Sequence, residues 1–312
     1  MSHSLAPALR PHRSFLSVPA INQRALTKIS SLACDGVIFD LEDSVSFEKK
    51  HEARTNLSAH FAEPPAGDRL SIIRINPLLS KFGADDLALV VSIHPDAILL
   101  PKVESADDLQ TVERVLDEAG VPDTTKIWAM IETAKGVLNA GAIASSRETS
   151  VPRLQGFVVG LNDLRKETRI PARKGRSFLI PFLMQVVLAA RAHGLCVIDS
   201  VFNDFRDAEG FEDECIQGRD MGFDGKMLIH PAQIDPANHH FGPDPEAVAE
   251  AEAIIAAFST QEAQTLNVIN LNGRMIERLH LVEAERLVQL ARLIGQSSRI
   301  DQSPFDQGKT ET

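Results

Sequence analysis

The stretch Gly36-Val-Ile-Phe-Asp-Leu-Glu-Asp43 passes from an unbroken apolar run to a cluster of acids. Without polar alternation, such a run fits a strand covered on both faces, as in a parallel sheet. Residues 36–42 therefore read as a strand, and the same pattern recurs along the chain. Runs at 13–19, 70–76, 97–103, 126–132, 154–160, 196–201 and 225–230 each lead through a polar turn towards a helix-like segment. Helix candidates include 22–32, 47–61, 84–92, 105–119 and 209–221. Ser105 before Ala-Asp-Asp puts acids into a first turn. Gly120, Gly194 and Gly222 stand where helices should stop. About eight strand–helix units in roughly 240 residues is the arithmetic of a (β/α)8 TIM barrel. A doubly wound open sheet would usually place a glycine-rich phosphate loop after its first strand. Pro19-Ala-Ile-Asn22 stands there instead, and the barrel reading is preferred.

Beyond His230 the pattern changes. Residues 231–258 read as helix interrupted at 241–245, and 266–275 alternates around Asn272-Gly273, a hairpin signal. An amphipathic helix over 281–294 carries Leu281, Ala284, Leu287, Val288 and Ala291 on one face. The fold class is thus α/β, a barrel with a C-terminal hairpin-plus-helix extension. The expected division is a catalytic barrel at 13–258, a cover or oligomer contact at 259–295, and a disordered polar tail at 296–312. With no barrel strand left to pack on, the 281–294 stripe is expected to meet a neighbouring subunit.

Composition narrows the function. With 32 Lys+Arg against 43 Asp+Glu the net charge is −11, which lacks the cationic footprint of a nucleic-acid binder. Hydrophobic residues at 44% are ample for a folded core, so disorder of the whole is excluded. Cys34, Cys196 and Cys215 form no CxxC pair, so neither a disulfide framework nor a zinc knuckle is suggested. Reduced thiols, no apolar span of membrane length and no signal-peptide core make a soluble, cytoplasmic protein the expectation.

In such a barrel the active site lies at the C-terminal ends of the strands. The residues there are Asp40, Glu42, Asp43, Arg74, Asn76, Lys102, Glu104, Glu132, Asn162, Asp163, Asp199 and His230. Glu132 and Asp163 come from successive units, and two neighbouring carboxylates suit Mg²⁺, which keeps positions for water and substrate. Arg74 can fork onto a substrate carboxylate or a developing oxyanion, or it can pair with Asp40 or Glu42. Lys102 is either a Schiff-base lysine or, as preferred, a charge partner of Glu42 or Glu132. Asp40, Glu42 and Asp43 read as support behind the metal ligands. For His230 beside Pro231, packing and hydrogen bonding are preferred over a general-base role.

Together Arg13-Ser-Phe-Leu-Ser-Val-Pro19, Phe39-Asp-Leu-Glu-Asp-Ser-Val45, Arg74-Ile-Asn76, Leu100-Pro-Lys-Val-Glu104, Ile131-Glu-Thr-Ala-Lys-Gly136, Gly160-Leu-Asn-Asp-Leu164 and Gly222-Phe-Asp-Gly-Lys-Met-Leu-Ile-His-Pro231 resemble the citrate lyase β-subunit-like proteins. These belong to the HpcH/HpaI aldolase superfamily, with malyl-CoA and citramalyl-CoA lyases as relatives. The resemblance spans residues 13 to about 293. It implies a Mg²⁺-dependent carbon–carbon lyase acting beside a thioester, with Glu132 and Asp163 on the metal and Arg74 on the substrate. It also implies Arg13, Lys102 and Glu132 as further substrate contacts, and trimers or hexamers. Relatives often carry an acid/base aspartate in a C-terminal Gly-Arg-Met-Ile-Asp segment lying over a neighbouring subunit's site. Here the segment is Gly273-Arg-Met-Ile-Glu277, which makes Glu277 the catalytic candidate with one extra methylene.

Three readings follow from this resemblance. A lyase acting on malyl-, citramalyl- or citryl-CoA to give a short acyl-CoA and an oxo acid is ranked first. A malyl-CoA-type thioesterase on the same site is the second. A partner-dependent citrate lyase β-like subunit, inactive on free CoA thioesters, is the third.

Overall fold

The computed structural model describes residues 10–63, 67–260 and 263–300. Eight strands follow one another around a closed barrel: β1 (Ser14–Pro19), β2 (Gly36–Asp40), β3 (Leu70–Arg74), β4 (Ala97–Leu100), β5 (Lys126–Ile131), β6 (Leu154–Val159), β7 (Cys196–Asp199) and β8 (Gly225–Leu228). Every pairing is parallel, and β8 closes on β1. The helices are α1 (Gln23–Lys28), α2 (Lys50–Ala62), α3 (Gly83–Ile93), α4 (Ala106–Glu118), α5 (Ala134–Ser145), α6 (Leu161–Thr168), α7 (Ile180–Ala192), α8 (Ala208–Asp220) and α9 (Ile234–His240). The (β/α)8 expectation holds.

The apolar runs are unbroken because each strand is covered twice. Phe15, Ile38, Ile72, Leu99, Trp128, Val158, Ile198 and Met227 fill the lumen. Their neighbours Val37, Phe39, Ile73, Ile98, Ile127, Phe157, Val197 and Leu228 pack beneath the helices. Helix α4 begins at the signalled Ser105, whose N–H donates to the Asp108 carboxylate at 2.9 Å, and α5 begins where Thr133 Oγ1 accepts from the Gly136 N–H at 3.0 Å. Among the described residues no helix is long and apolar enough to cross a membrane.

The chain divides into two compact units, the barrel at His12–Phe241 and a second unit from Gly242 onward. The second contains α10 (Pro245–Phe258), β9 (Val268–Leu271), β10 (Arg274–Glu277) and α11 (Arg278–Ile300). Asn272 (φ 51°) and Gly273 (φ 81°) make the tight turn between β9 and β10, the geometry that favours Asn-Gly in a two-residue hairpin. Two expectations are corrected here. The helix at 245–258 belongs with the second unit rather than with the barrel, because Ala251, Ile254 and Phe258 pack on Ile276, Ala284 and Val288. The apolar stripe of α11 therefore finds cover within its own unit at Ala284 and Val288, while Leu281, Leu287 and Ala291 stay half-buried. Helix α11 also runs on to Ile300; the rest of the predicted tail, 301–312, lies outside the described residues.

Barrel closure depends on a glycine. A Cβ on Gly225 would sit 1.8 Å from the His12 carbonyl oxygen, where β8 meets β1 and the Lys226 N–H donates to the Arg13 carbonyl. Backbone cannot step aside there as a flexible side chain could. Gly225→Ala is expected to cost roughly 1–3 kcal/mol through overpacking. Thermal unfolding followed by emission of Trp128, the sole tryptophan and fully buried in the lumen, measures this. An unchanged midpoint would contradict the role assigned to Gly225.

Candidate active site

Strand alternation decides which side chains reach the barrel mouth. Residues two apart on a strand share a face. Continuing from Ile38, Ile72, Met130, Val158 and Ile198 in the lumen, the same phase brings Asp40, Arg74, Glu132, Gly160 and Ser200 to its upper layer. Asp40, Arg74, Glu132 and Ser200 are all buried.

Arg74 and Asp40 form a bidentate pair, with Nε to Oδ1 at 2.7 Å and Nη2 to Oδ2 at 2.6 Å. The remaining nitrogen, Nη1, lies 3.1 Å from Glu42 Oε2 and 3.8 Å from Met130 Sδ. Burial alone would raise the Asp40 carboxyl, but the Arg74 charge and the hydrogen bonds outweigh it and hold the group below the usual carboxylate range. Asp40 also accepts from the Glu42 N–H at 2.8 Å and the Ser44 N–H at 3.2 Å, which shapes the turn after β2. Asp43 is exposed on this turn.

Glu132 is 2% exposed. Its Oε1 accepts from the Lys102 N–H at 2.9 Å. Burial first, then the charges of Glu42 and Asp163, push its carboxyl up to about 8. Gly160 faces it, since a Cβ there would fall 2.4 Å from Glu132 Oε2. Lys102 takes the left-handed backbone conformation (φ 52°), a strain that persists where surrounding structure enforces it. Here that conformation delivers its N–H to Glu132. Its Nζ reaches Glu42 Oε1 at 3.4 Å. Burial lowers the affinity of this ammonium for its proton, but Glu42, Asp43, Asp163 and Glu132 outweigh burial and raise it. Asp163 sits in the first turn of α6.

Glu42, Arg74, Lys102, Glu132 and Asp163 thus meet in one electrostatic neighbourhood, as the sequence suggested. The fork of Arg74 is engaged by Asp40, and Nη1 is the part turned towards the acids of the mouth. Arg13 is corrected. It precedes β1, at the opposite end of the strands from the mouth, and its guanidinium binds the Asp35 carboxylate at 2.7 and 2.8 Å. Glu277 ends β10 in the second unit, where its N–H donates to His280 Nδ1 at 2.9 Å. His230 Nδ1 accepts from the Ala232 N–H at 3.2 Å, and its ring stacks on Phe205 with centroids 4.5 Å apart.

Three contributors escaped the sequence reading. Lys50, buried on α2, donates from Nζ to the carbonyls of Leu41 (2.7 Å) and Glu42 (2.8 Å) and to Asn76 Oδ1 (2.8 Å). It braces the acidic turn from beneath. Its signal was the spacing with Ala53 and Leu57, which puts it on the buried face of α2. Gly160 and Ser200, inside the runs at 154–160 and 196–201, were legible only by following the lumen-facing phase to the ends of those runs. Among the described residues no group of three or more His, Cys, Asp or Glu is arranged to hold a metal. The Glu132–Asp163 pair is a two-carboxylate oxygen set, the kind that leaves positions for other ligands.

A closed eight-stranded parallel barrel with acids and two cations at the C-terminal ends of its strands defines the class: a TIM-barrel protein with an acid-rich mouth. Residues 13–231 match the HpcH/HpaI aldolase/citrate lyase family, and the chain belongs to it. It is 43% identical over 290 residues to a (3S)-malyl-CoA thioesterase of Cereibacter sphaeroides, covering 93% of this chain and 98% of that one. It is 31% identical over 291 residues to the citrate lyase β subunit of Escherichia coli, covering 92% and 95%. Among solved structures it resembles the protein CitE from Mycobacterium tuberculosis in complex with magnesium, acetoacetate and coenzyme A. That match has a TM-score of 0.72 at 27% identity and covers 91% of this chain and 99% of that one. It also resembles the citrate lyase β subunit of the same organism complexed with oxaloacetate and magnesium, with a TM-score of 0.63 at 28% identity, covering 75% and 98%.

The raised Glu132 carboxyl has a thermodynamic consequence. Between its ordinary value of 4.5 and about 8, the folded protein holds a proton that the unfolded chain has released. Glu132 therefore makes metal-free protein lose stability as pH rises through that window. Melting temperatures in chelator between about pH 5 and 8.5 should fall more steeply for wild type than for Glu132→Gln. Equal slopes would show that Glu132 is not the group responsible.

Proposed function

We propose that this protein is a Mg²⁺-dependent enzyme acting on CoA thioesters of short 3-hydroxy dicarboxylic acids, and that it hydrolyses a malyl-type thioester. The observation that carries the metal reading is the donor set: two carboxylates at the lumen rim, Glu132 and Asp163, hard oxygen ligands of the kind Mg²⁺ takes. Likeness to the malyl-CoA thioesterase across nearly its whole length supports the substrate and the reaction. Carbon–carbon cleavage of the same substrate is the second reading. Family membership supports it, as does a related barrel crystallised with an oxo acid and magnesium.

Glu132 and Asp163 would hold the ion. Mg²⁺ bound there supplies a Lewis acid that draws negative charge from carboxylate and carbonyl oxygens. The chain's own groups prepare the place. The Lys102 amide fixes the Glu132 carboxylate, and the missing side chain of Gly160 leaves room for it. Arg74, locked by Asp40, offers Nη1 to negative charge arriving among these acids. Lys102 Nζ, on a partly exposed side chain, offers a second cation that solvent reaches more readily. Glu277 is the residue to test as proton donor or acceptor, through loss of turnover in Glu277→Ala.

Two product assays separate the readings. Hydrolysis of (3S)-malyl-CoA consumes one water and yields malate and a free CoA thiol. Cleavage between carbons 2 and 3 of the malyl group yields glyoxylate and acetyl-CoA, with no thiol released. With purified protein and Mg²⁺, thiol release matched by malate supports the first, and glyoxylate with acetyl-CoA supports the second. Neither product from malyl-CoA would overturn the substrate assignment. Arg74→Lys keeps the charge but loses the planar fork, so it is not conservative. It should lower turnover on the order of 10²-fold, as removal of an oxyanion donor does; equal turnover would reduce Arg74 to a structural partner of Asp40.

A further inference from the structure

A second set of buried charges lies outside the chemistry above. Asp199 at the end of β7 is fully buried, as is Lys226 on β8, and the Arg176 side chain is 1% exposed. Asp199 accepts from Arg176 Nη1 at 2.7 and 2.9 Å and from Lys226 Nζ at 3.0 Å. Glu214 of α8 completes the cluster, 2.8 Å from Lys226 Nζ. Taking charges out of water is costly, and a buried ion cluster is weak evidence for stability as such. Arg176 also holds a left-handed backbone (φ 51°), unfavourable for a residue with a side chain. Such an arrangement calls for something it fixes in place.

Asp199 Oδ1 also accepts from the Ser200 N–H at 2.8 Å. Ser200, 1% exposed, turns its Oγ to accept from the Leu161 N–H at 3.0 Å. Leu161 opens α6, and its amide is among the first-turn donors that a helix cannot satisfy itself. Gly160 before it has no side chain to serve as cap, and a larger residue would collide with Glu132. The cap is therefore supplied from the neighbouring strand. A second tie lies alongside, where Asn162 and Asn203 exchange side-chain hydrogen bonds at 3.3 and 2.8 Å. Asp163 rides on this same turn.

We propose that Ser200, oriented by the Arg176–Asp199–Lys226 cluster, is a positioning residue that sets the first turn of α6 so that Asp163 converges with Glu132 on one cation. Asn203 is its outer companion. This rests on the reading of Asp163 as a metal ligand.

The test is isothermal titration of Mg²⁺ into the metal-free full chain, with melting temperature measured in parallel. Variants are Ser200→Ala, Asn203→Ala and Asp163→Asn. Ser200→Ala should weaken Mg²⁺ binding by the folded protein on the order of tenfold, the scale of one hydrogen bond, and should also lower the melting temperature of metal-free protein, because the Leu161 N–H is left buried without its partner. Asn203→Ala should weaken it by about twofold or more. If Asp163→Asn abolishes binding while Ser200→Ala binds as wild type does, the positioning role falls and the ligand assignment stands. If Asp163→Asn also binds as wild type, the ligand assignment itself is wrong and the positioning role goes with it. Should Ser200→Ala fail to fold, exposed Asn203 decides, and wild-type affinity in Asn203→Ala overturns the proposal.

Discussion

Glu132 places a carboxyl in the upper layer of the lumen, where its hydrogen bond comes from a backbone amide rather than from a cation. Around it the acids outnumber the bases. Asp40 takes the fork of Arg74, Lys102 leans on Glu42 at 3.4 Å, and Asp163 adds a charge that Glu132 feels. Interactions among ions this deep are strengthened by a poor dielectric, and so is the penalty for leaving one uncompensated. Much of the surrounding structure can be understood as accommodating that carboxyl. Gly160 vacates the space, Lys102 bends its backbone to donate, and Lys50 and Asn76 hold the acidic turn close by.

The lower barrel could be read from the chain because each strand is buried on both faces, which leaves an unbroken apolar signature. All eight runs became strands, and seven ended one to three residues early. The over-run is physical. Residues such as Glu42, Asn76 and Glu132 continue the run in sequence, but there the backbone leaves the ladder to form the mouth. The second unit was legible where local chemistry dominates, as at Asn272-Gly273, and misread where packing decides. Nothing in the sequence of α10 says that its apolar face meets Ile276 and Val288 rather than a strand.

The site divides in the same way. Glu132, Asp163, Arg74 and Lys102 stand out because polar residues that end apolar strands are conspicuous. Their partners could be named only as alternatives, Asp40 or Glu42 for Arg74 and Glu42 or Glu132 for Lys102. That Asp40 captures the Arg74 fork is a property of the β2–β3 register, which pairs Asp40 with Arg74 directly. The family resemblance assigns Arg13 to the substrate, although as the first residue of the run at 13–19 it stands at the wrong end of its strand. It precedes β1 and pairs with Asp35 just before β2, while the mouth gathers residues that follow their strands.

The two reactions considered for this mouth ask the same first service of it, since both build negative charge on oxygen next to a chelated acid. Hydrolysis adds a water at the thioester carbonyl, whereas carbon–carbon cleavage removes a hydroxyl proton and leaves an enolate at the thioester. On the proposed reading, Arg74 Nη1, Lys102 Nζ and the two carboxylates would serve either course equally. What separates them is the group that takes or gives the proton, and whether water can reach the thioester. None of these four side chains decides either point. A barrel rim can therefore stay constant while the bond that breaks changes, and for that reason site chemistry reads further from these strands than reaction type does.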